Sequence, residues 1–263
     1  MSVYETLRFE VRDNVAFISF NRPHAANSLN TVMGRELMLA SIQCDEDPEI
    51  RAVLVTGEGG TFSAGGDVKS FSSQGDSLPA HLKELTTYLH AAMSRFTRMD
   101  APLIAAVHGS AAGAGLSFVC ACDIVFAAES ARFTMAYTRL GLTPDGSSTY
   151  FLPRIVGLRR AVELALTNRM LSAREAMDLG IVTTVVPDAE LKAAATEMAK
   201  RLASGPTRAF GGAKRLFHSG FSETIETQME LEARLIAELA KSQDGKEGIK
   251  AFVEKRQAKF VGH

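Results

Sequence analysis

The sequence predicts an α/β fold, and three observations carry that expectation. Apolar runs at 52–56 and 103–107 have the length and side-chain content of short buried strands. Each leads into a glycine-rich stretch, 57–66 and 109–115, and then into a helical segment. Strand, glycine loop and helix in that order, twice over, is the pattern of an α/β chain. Beyond Pro153 the pattern is mostly helical.

From the N-terminus, Leu7, Phe9 and Val11 alternate with polar residues, Asp13-Asn14 offers a turn, and 15–20 returns as a second strand. That is a hairpin signal. Asn30 or Thr31 caps a helix that runs to about Asp47, with Pro48 beyond its end. The strand at 52–56 follows, then a helix over 79–98 and the strand at 103–107. An apolar helix after the second glycine stretch leads to a third strand at 123–127. Further helices are expected at 158–168, 172–179, 188–203, 206–217 and 222–241. In the last, Ile225, Met229, Ala233, Ile236 and Ala240 form one stripe, and Leu231, Leu235 and Leu239 a neighbouring one. Together they span an apolar arc of roughly 200°. Such an arc suits a helix sunk in its own core, or one that covers its own domain on one side and another subunit on the other.

A chain of 263 residues with 29 Lys plus Arg against 30 Asp plus Glu has no charge bias for nucleic acid or a membrane surface. Hydrophobic content of 46% with 22% charged residues is that of a globular protein with a substantial core. Cys44, Cys120 and Cys122 are odd in number and sit in apolar surroundings, which implies reduced thiols and a cytoplasmic location. Cys120 and Cys122 are spaced too tightly for a zinc knuckle, and no second pair completes a site. The first ten residues have neither a basic start nor an apolar stretch, so no signal peptide is expected. No apolar run approaches the ~20 residues that span a bilayer.

Dinucleotide, P-loop, HExxH and GxSxG motifs are all absent. The six histidines lack i, i+4 pairing and read as surface or packed imidazoles. What remains is two loops of small residues, 61–67 and 108–115. Small residues let backbone N–H groups come close to a ligand, and two such loops could converge on one oxygen as an oxyanion hole. From the residues alone, the favoured reading is that they are tight strand–helix connections.

Motifs in order along nearly the whole chain decide more. They are Asn21-Arg22-Pro23 with Asn27-Ser28-Leu29-Asn30, Phe62-Ser63-Ala64-Gly65-Gly66-Asp67-Val68, and His108-Gly109 through Cys122-Asp123-Ile124. Leu140-Gly141-Leu142, Leu152-Pro153-Arg154, Leu171-Ser172-Ala173 with Leu179-Gly180, and Val185-Val186-Pro187 follow. With these the chain resembles the crotonase superfamily, the enoyl-CoA hydratase/isomerase proteins. The resemblance implies a crotonase-like spiral of strand-strand-helix turns over 1–195, holding an acyl-CoA site. It implies a helical C-terminal region over 196–263 that builds a homotrimer or a dimer of trimers. The substrate it implies is an acyl-CoA thioester, with coenzyme A as part of the substrate and no separate cofactor or metal. By match, the N–H groups of Gly66 and Ala114 hold the thioester oxygen, and the Ala64 carbonyl contacts the adenine. Ala26, within the 21–27 segment, and Lys69 match stretches that flank the CoA.

The hydratases resembled here activate water with two glutamates. At the matching positions, five residues before Cys122 and seven before Pro144, this chain has Ser117 and Tyr137. Neither ionises appreciably near neutral pH, so hydration is disfavoured. Asp145 remains, at the position where isomerase branches of the family place an acid. A single carboxylate can take a proton from C2 of a β,γ-unsaturated thioester and return it at C4. The expected activity is therefore an enoyl-CoA isomerase. The alternatives are a ring isomerase of the 1,2-epoxyphenylacetyl-CoA type and a non-catalytic acyl-CoA binder. A thioester hydrolase lacks an activated nucleophile. Asp145 also suits the N-cap of a helix that starts near Ser147. Tyr137 is expected to line the acyl pocket, to donate to the intermediate or to pack in the core, and Ser117 to make room.

Overall fold

Asp13 and Asn14 both occupy the left-handed region, at φ 53° and 59°. Paired positive φ values match the right-handed twist of the strands they join, here β1 (Leu7–Arg12) and β2 (Val15–Phe20). The structure is a computed structural model and describes residues 4–263. From β2 the sheet grows by parallel pairing through β3 (Ala52–Gly57) and β4 (Leu103–Val107). A short strand, β5 (Ser110–Ala112), follows β4 directly. The main sheet continues with β6 (Ile124–Ala128), and another short strand, β7 (Arg132–Thr134), follows that. After β8 (Leu171–Ser172), β9 (Thr184–Val186) completes a six-stranded sheet in the order β1-β2-β3-β4-β6-β9. The short strands form a second sheet, β5-β7-β8. The chain thus passes repeatedly from a strand of one sheet to a strand of the other, which is the expected spiral. Every residue of β4 is buried, as a central parallel strand covered on both faces requires.

Helices cover both sheets. The Asn30 side chain accepts from the Met33 N–H at 2.9 Å and starts α1 (Thr31–Glu46). α2 (Val68–Ser72) is one short turn, and α3 (Leu78–Arg98) packs along α1. α4 (Ala114–Cys120) is buried at all seven positions. α5 (Ser148–Val156) and α6 (Leu158–Thr167) follow. α7 (Ala173–Asp178) starts at a Ser172/Glu175 capping box. α8 (Leu191–Ala203) buries Leu191, Ala195, Ala199 and Ala203 against the main sheet. Residue 195, the boundary expected between core and C-terminal region, therefore falls inside a helix that belongs with the sheet. α9 (Thr207–Ser219), α10 (Ile225–Leu239) and α11 (Gln243–Val253) complete the chain.

Two expectations are corrected. The 222–241 helix, here α10, is not sunk in its own core: none of its residues is buried, and Ile225 and Ile236 are 69% and 71% exposed. Its second stripe does meet α9, where Leu235 lies against Gly212. Beyond Pro153 the chain is mostly helical, as expected, and β8 and β9, with two and three residues, are too short to register as strand patterns. Finally, Pro153 lies inside α5, and that helix is capped by Ser147 at φ 68°, with no side-chain capping bond.

Candidate active site

The two small-residue loops rest on an aromatic core. Phe62, just before the first loop, packs on Phe20 with ring centroids 5.2 Å apart. Phe118, in α4 after the second loop, meets Phe20 at 5.5 Å and Phe96 at 5.9 Å, both edge-on. Above that core the loops are laced together by backbone. Ser63 donates to Ser110 O at 3.0 Å and Ala112 donates to Ser63 O at 2.9 Å. Leu29 donates to Gly65 O at 2.7 Å and Asp67 donates to Leu29 O at 2.9 Å. The fully buried Asn27 side chain donates to Glu58 O and Thr61 O at 2.9 and 2.7 Å. Arg22 bonds Asp67 at 2.8 Å with both side chains nearly buried. Burial acts to raise the Asp67 pKa, but the Arg22 bond and the Ser70 and Lys69 N–H groups outweigh it and hold the carboxyl below its ordinary range.

This lacing brings Gly66 and Ala114 to one wall of a cavity of about 270 Å³. Gly65 at φ 94° and Gly113 at φ 51° make the bends that present them, a conformation open to glycine. Ala114 is the first residue of α4, so its N–H has no partner within that helix. Among the described residues, neither the Gly66 nor the Ala114 N–H donates a hydrogen bond. Leu82, Leu85 and Leu89 of α3 and Leu142 make the rest of the cavity apolar. Two free N–H groups on a dry wall are suited to a developing oxyanion.

Asp145 also lines this cavity, and it is the one acidic residue that does so among the described residues. Its carboxylate does not cap α5. Instead Oδ1 lies 2.8 Å from His90 Nε2, reaching across from α3. The Asp145 main-chain oxygen accepts from Ser148, at 2.8 Å from Oγ and 3.3 Å from N. Tyr137 lines the cavity and places its hydroxyl 2.9 Å from Ser117 Oγ and 3.2 Å from Asp145 O. Burial raises the Tyr137 pKa despite the Ser117 hydrogen bond, so the phenol stays protonated. Ser117 is fully buried and does more than make room, since it hydrogen-bonds both Tyr137 and the Gly113 carbonyl.

The remaining expected contacts are spread out. Ala64 is exposed at the same cavity, and its N–H donates to Ala26 O at 2.9 Å. Ala26 and Lys69 are exposed and do not line it. Sequence reasoning missed His90, because 55 residues separate it from Asp145 and a lone histidine carries no spacing signal. Cys120 is buried, and burial pushes its thiol up to about 12, which rules it out as a ready nucleophile. Among the described residues, no group of three or more His, Cys, Asp or Glu is placed to hold a metal ion, and no helix is long and apolar enough to cross a membrane.

Residues 10–263 match the family model described as Enoyl-CoA hydratase/isomerase. A Rhodobacter capsulatus protein named "Probable enoyl-CoA hydratase" is 40% identical over 259 residues, 98% of this chain and 99% of that protein. A 1,2-epoxyphenylacetyl-CoA isomerase of Escherichia coli is 36% identical over 98% of this chain and 99% of its own length. A 4-chlorobenzoyl coenzyme A dehalogenase of an Arthrobacter species is 36% identical over 86% of this chain and 82% of its own. Among solved structures, an enoyl-CoA hydratase from Bacillus anthracis superposes with a TM-score of 0.91 at 32% identity. That match covers 98% of this chain and all of the other.

Proposed function

The chain belongs to the enoyl-CoA hydratase/isomerase family, and from that premise we propose that it is an acyl-CoA isomerase moving a double bond from the β,γ to the α,β position. One observation carries the reading: among the described residues, Asp145 is the one acidic residue lining the cavity that the two free amides share. The thioester oxygen sits against the N–H groups of Gly66 and Ala114. Asp145 takes a proton from C2, and the resulting dienolate places its charge on that oxygen. The conjugate acid then returns the proton at C4, leaving the conjugated thioester. His90 holds Oδ1 of the carboxylate, and in this reading Oδ2 takes the proton. Where hydratases hold two water-activating glutamates, Ser117 and Tyr137 offer neutral hydroxyls, which suits one-base chemistry and disfavours hydration. A homotrimer or dimer of trimers belongs to the same reading, with the exposed stripe of α10 covered by a neighbouring subunit.

The 2.8 Å contact between His90 and Asp145 favours a second reading. A carboxylate with a base in hydrogen-bond reach can act as a nucleophile. On an aryl-CoA with a leaving group on the ring, Asp145 would add to the ring carbon while charge flows to the thioester oxygen. The leaving group departs as an anion, and water activated by His90 hydrolyses the aryl ester to restore the carboxylate. The relative named as a dehalogenase makes 4-chlorobenzoyl-CoA the substrate to try.

Three parallel assays decide. A short β,γ-enoyl-CoA is watched for appearance of the conjugated thioester, the α,β-enoyl-CoA for its loss, and 4-chlorobenzoyl-CoA for chloride release. The isomerase reading expects signal in the first alone, falling about 10²–10⁴-fold in Asp145→Asn. Loss of conjugation in the second overturns the one-base argument. Chloride release without isomerisation replaces the first reading by the second.

A further inference from the structure

We propose that Tyr137 and Ser117 form a hydroxyl relay that polarises the Gly113–Ala114 peptide and so strengthens the Ala114 N–H as a donor to the thioester oxygen. The inference rests on the acyl-site reading and adds two positioning residues to it. Three short contacts define the relay. Tyr137 Oη is 2.9 Å from Ser117 Oγ and 3.2 Å from Asp145 O, and Ser117 Oγ is 3.2 Å from Gly113 O.

The 2.9 Å contact between Tyr137 and Ser117 takes one of the two hydroxyl protons, so the other goes either to Asp145 O or to Gly113 O. A carbonyl oxygen has two lone pairs. Asp145 O already accepts from the Ser148 hydroxyl and the Ser148 N–H. Gly113 O accepts one other bond among the described residues, from the Ser117 N–H at 3.0 Å. The open lone pair is therefore on Gly113. The order is Tyr137 O–H to Ser117 O–H to Gly113 C=O.

That carbonyl shares a peptide unit with the Ala114 N–H. Electron density drawn to the oxygen is drawn through the conjugated C–N bond, leaving the amide proton more positive. Donation from Tyr137 makes Ser117 a stronger donor in turn, since linked hydrogen bonds polarise one another. The surroundings keep this effect large. Ser117 is fully buried, and Tyr137 remains protonated and able to donate. Gly146, at φ 60°, lies against the relay so closely that a Cβ there would sit 3.1 Å from the Ser117 Cβ. Ser117 thus serves the oxyanion from behind the peptide, and Tyr137 acts through Ser117.

Charge on the thioester oxygen is greatest in the transition state, so the relay acts on kcat more than on KM. Ser117→Ala is expected to lower kcat about fivefold and Tyr137→Phe by less, each with KM within about twofold. The double variant should fall no further than Ser117→Ala, because the two hydroxyls work as a unit. The readout specific to polarisation is the ultraviolet spectrum of bound trans-cinnamoyl-CoA, whose band moves to the red as its carbonyl oxygen is bonded more strongly. The wild-type shift should shrink in Ser117→Ala and, by a smaller amount, in Tyr137→Phe. A full wild-type shift in both variants overturns the relay. If Ser117→Ala does not fold, Tyr137→Phe, which keeps the ring, decides alone. Bound cinnamoyl-CoA with no shift even in the wild type overturns the acyl-site reading itself, and the relay with it.

Discussion

Replacing Gly65 by alanine tests whether the amide geometry, and not merely the cavity, carries the chemistry. The added Cβ would lie 2.7 Å from the Ala112 carbonyl oxygen, 3.3 Å from Gly113 Cα and 3.2 Å from the Ala114 nitrogen. All three are backbone atoms of the facing loop, so the loop itself must move. The positive φ of 94° adds its own cost, about 1–2 kcal/mol for a residue with a Cβ. Overpacking against backbone adds about 1–3 kcal/mol, for a total of roughly 2–5 kcal/mol. The functional loss should be larger than a folding effect alone, since displacing one oxyanion donor costs about 10²–10³ in kcat. Two companion variants separate the causes. Gly60→Ala meets nothing within 4 Å and should leave stability and turnover unchanged. Gly141→Ala also meets nothing, but its φ of 69° should cost about 1–2 kcal/mol through strain alone. Urea midpoints and kcat/KM on the β,γ-enoyl-CoA would be measured for all three. A folded Gly65→Ala protein with kcat/KM within twofold of wild type would refute the argument that these amides hold the reacting oxygen.

Asp67→Asn should cost about 3 kcal/mol at neutral pH by leaving the Arg22 charge unpaired, read from urea midpoints. The folded Asp67 pKa lies below its ordinary 3.8, so the carboxylate contributes stability above that value. It loses that contribution as the pH falls through the folded value, and the acid limb of the stability profile should flatten in the variant. His218 is shifted down by burial from 6.5. Its neutral form therefore contributes stability above that pH, lost as the pH falls through its folded value, and His218→Gln should shallow the profile just below pH 6.5. Ile236→Glu should move sedimentation from an oligomer toward the monomer. A wild-type monomer at micromolar concentration would refute the covered-stripe reading.

Much of this was readable from single residues. Asp13-Asn14 fixed the hairpin because both types tolerate positive φ, and Asn30 marked the start of α1 by a capping bond that forms. The glycine loops were legible as close-approach segments, and Gly65 and Gly113 do adopt conformations that favour glycine. The second sheet was not legible, since β5, β7 and β8 have two or three residues each and their pairing is decided by tertiary contact. Asp145 could be named but not its partner. Local pattern offered a cap, and the carboxylate instead meets a histidine that only the packing of α3 brings near. Ser117 was read as an absence of charge, because the bonds it makes with Tyr137 and Gly113 depend on the path of the loop over 137–146. The apolar arc of α10 was visible, but amphipathicity alone does not say whether a face is covered from within the chain.

The division of labour between backbone and side chain has a consequence for how such a scaffold can change. The groups proposed to grip the thioester oxygen are main-chain amides, and a side-chain substitution at Gly66 or Ala114 leaves an amide N–H in place. The side chains proposed to act on the substrate's protons hang from separate segments, Asp145 on the loop before α5 and His90 on α3. On the proposed reading, exchanging those few side chains would redirect the fate of an enolate without altering the amides that hold its oxygen. An engineer seeking hydration could start with Ser117→Glu and Tyr137→Glu, at the cost of the hydroxyl contacts those residues make with each other and with the Gly113 carbonyl. The family's range of reactions becomes a matter of interchangeable tools on one fixed handle.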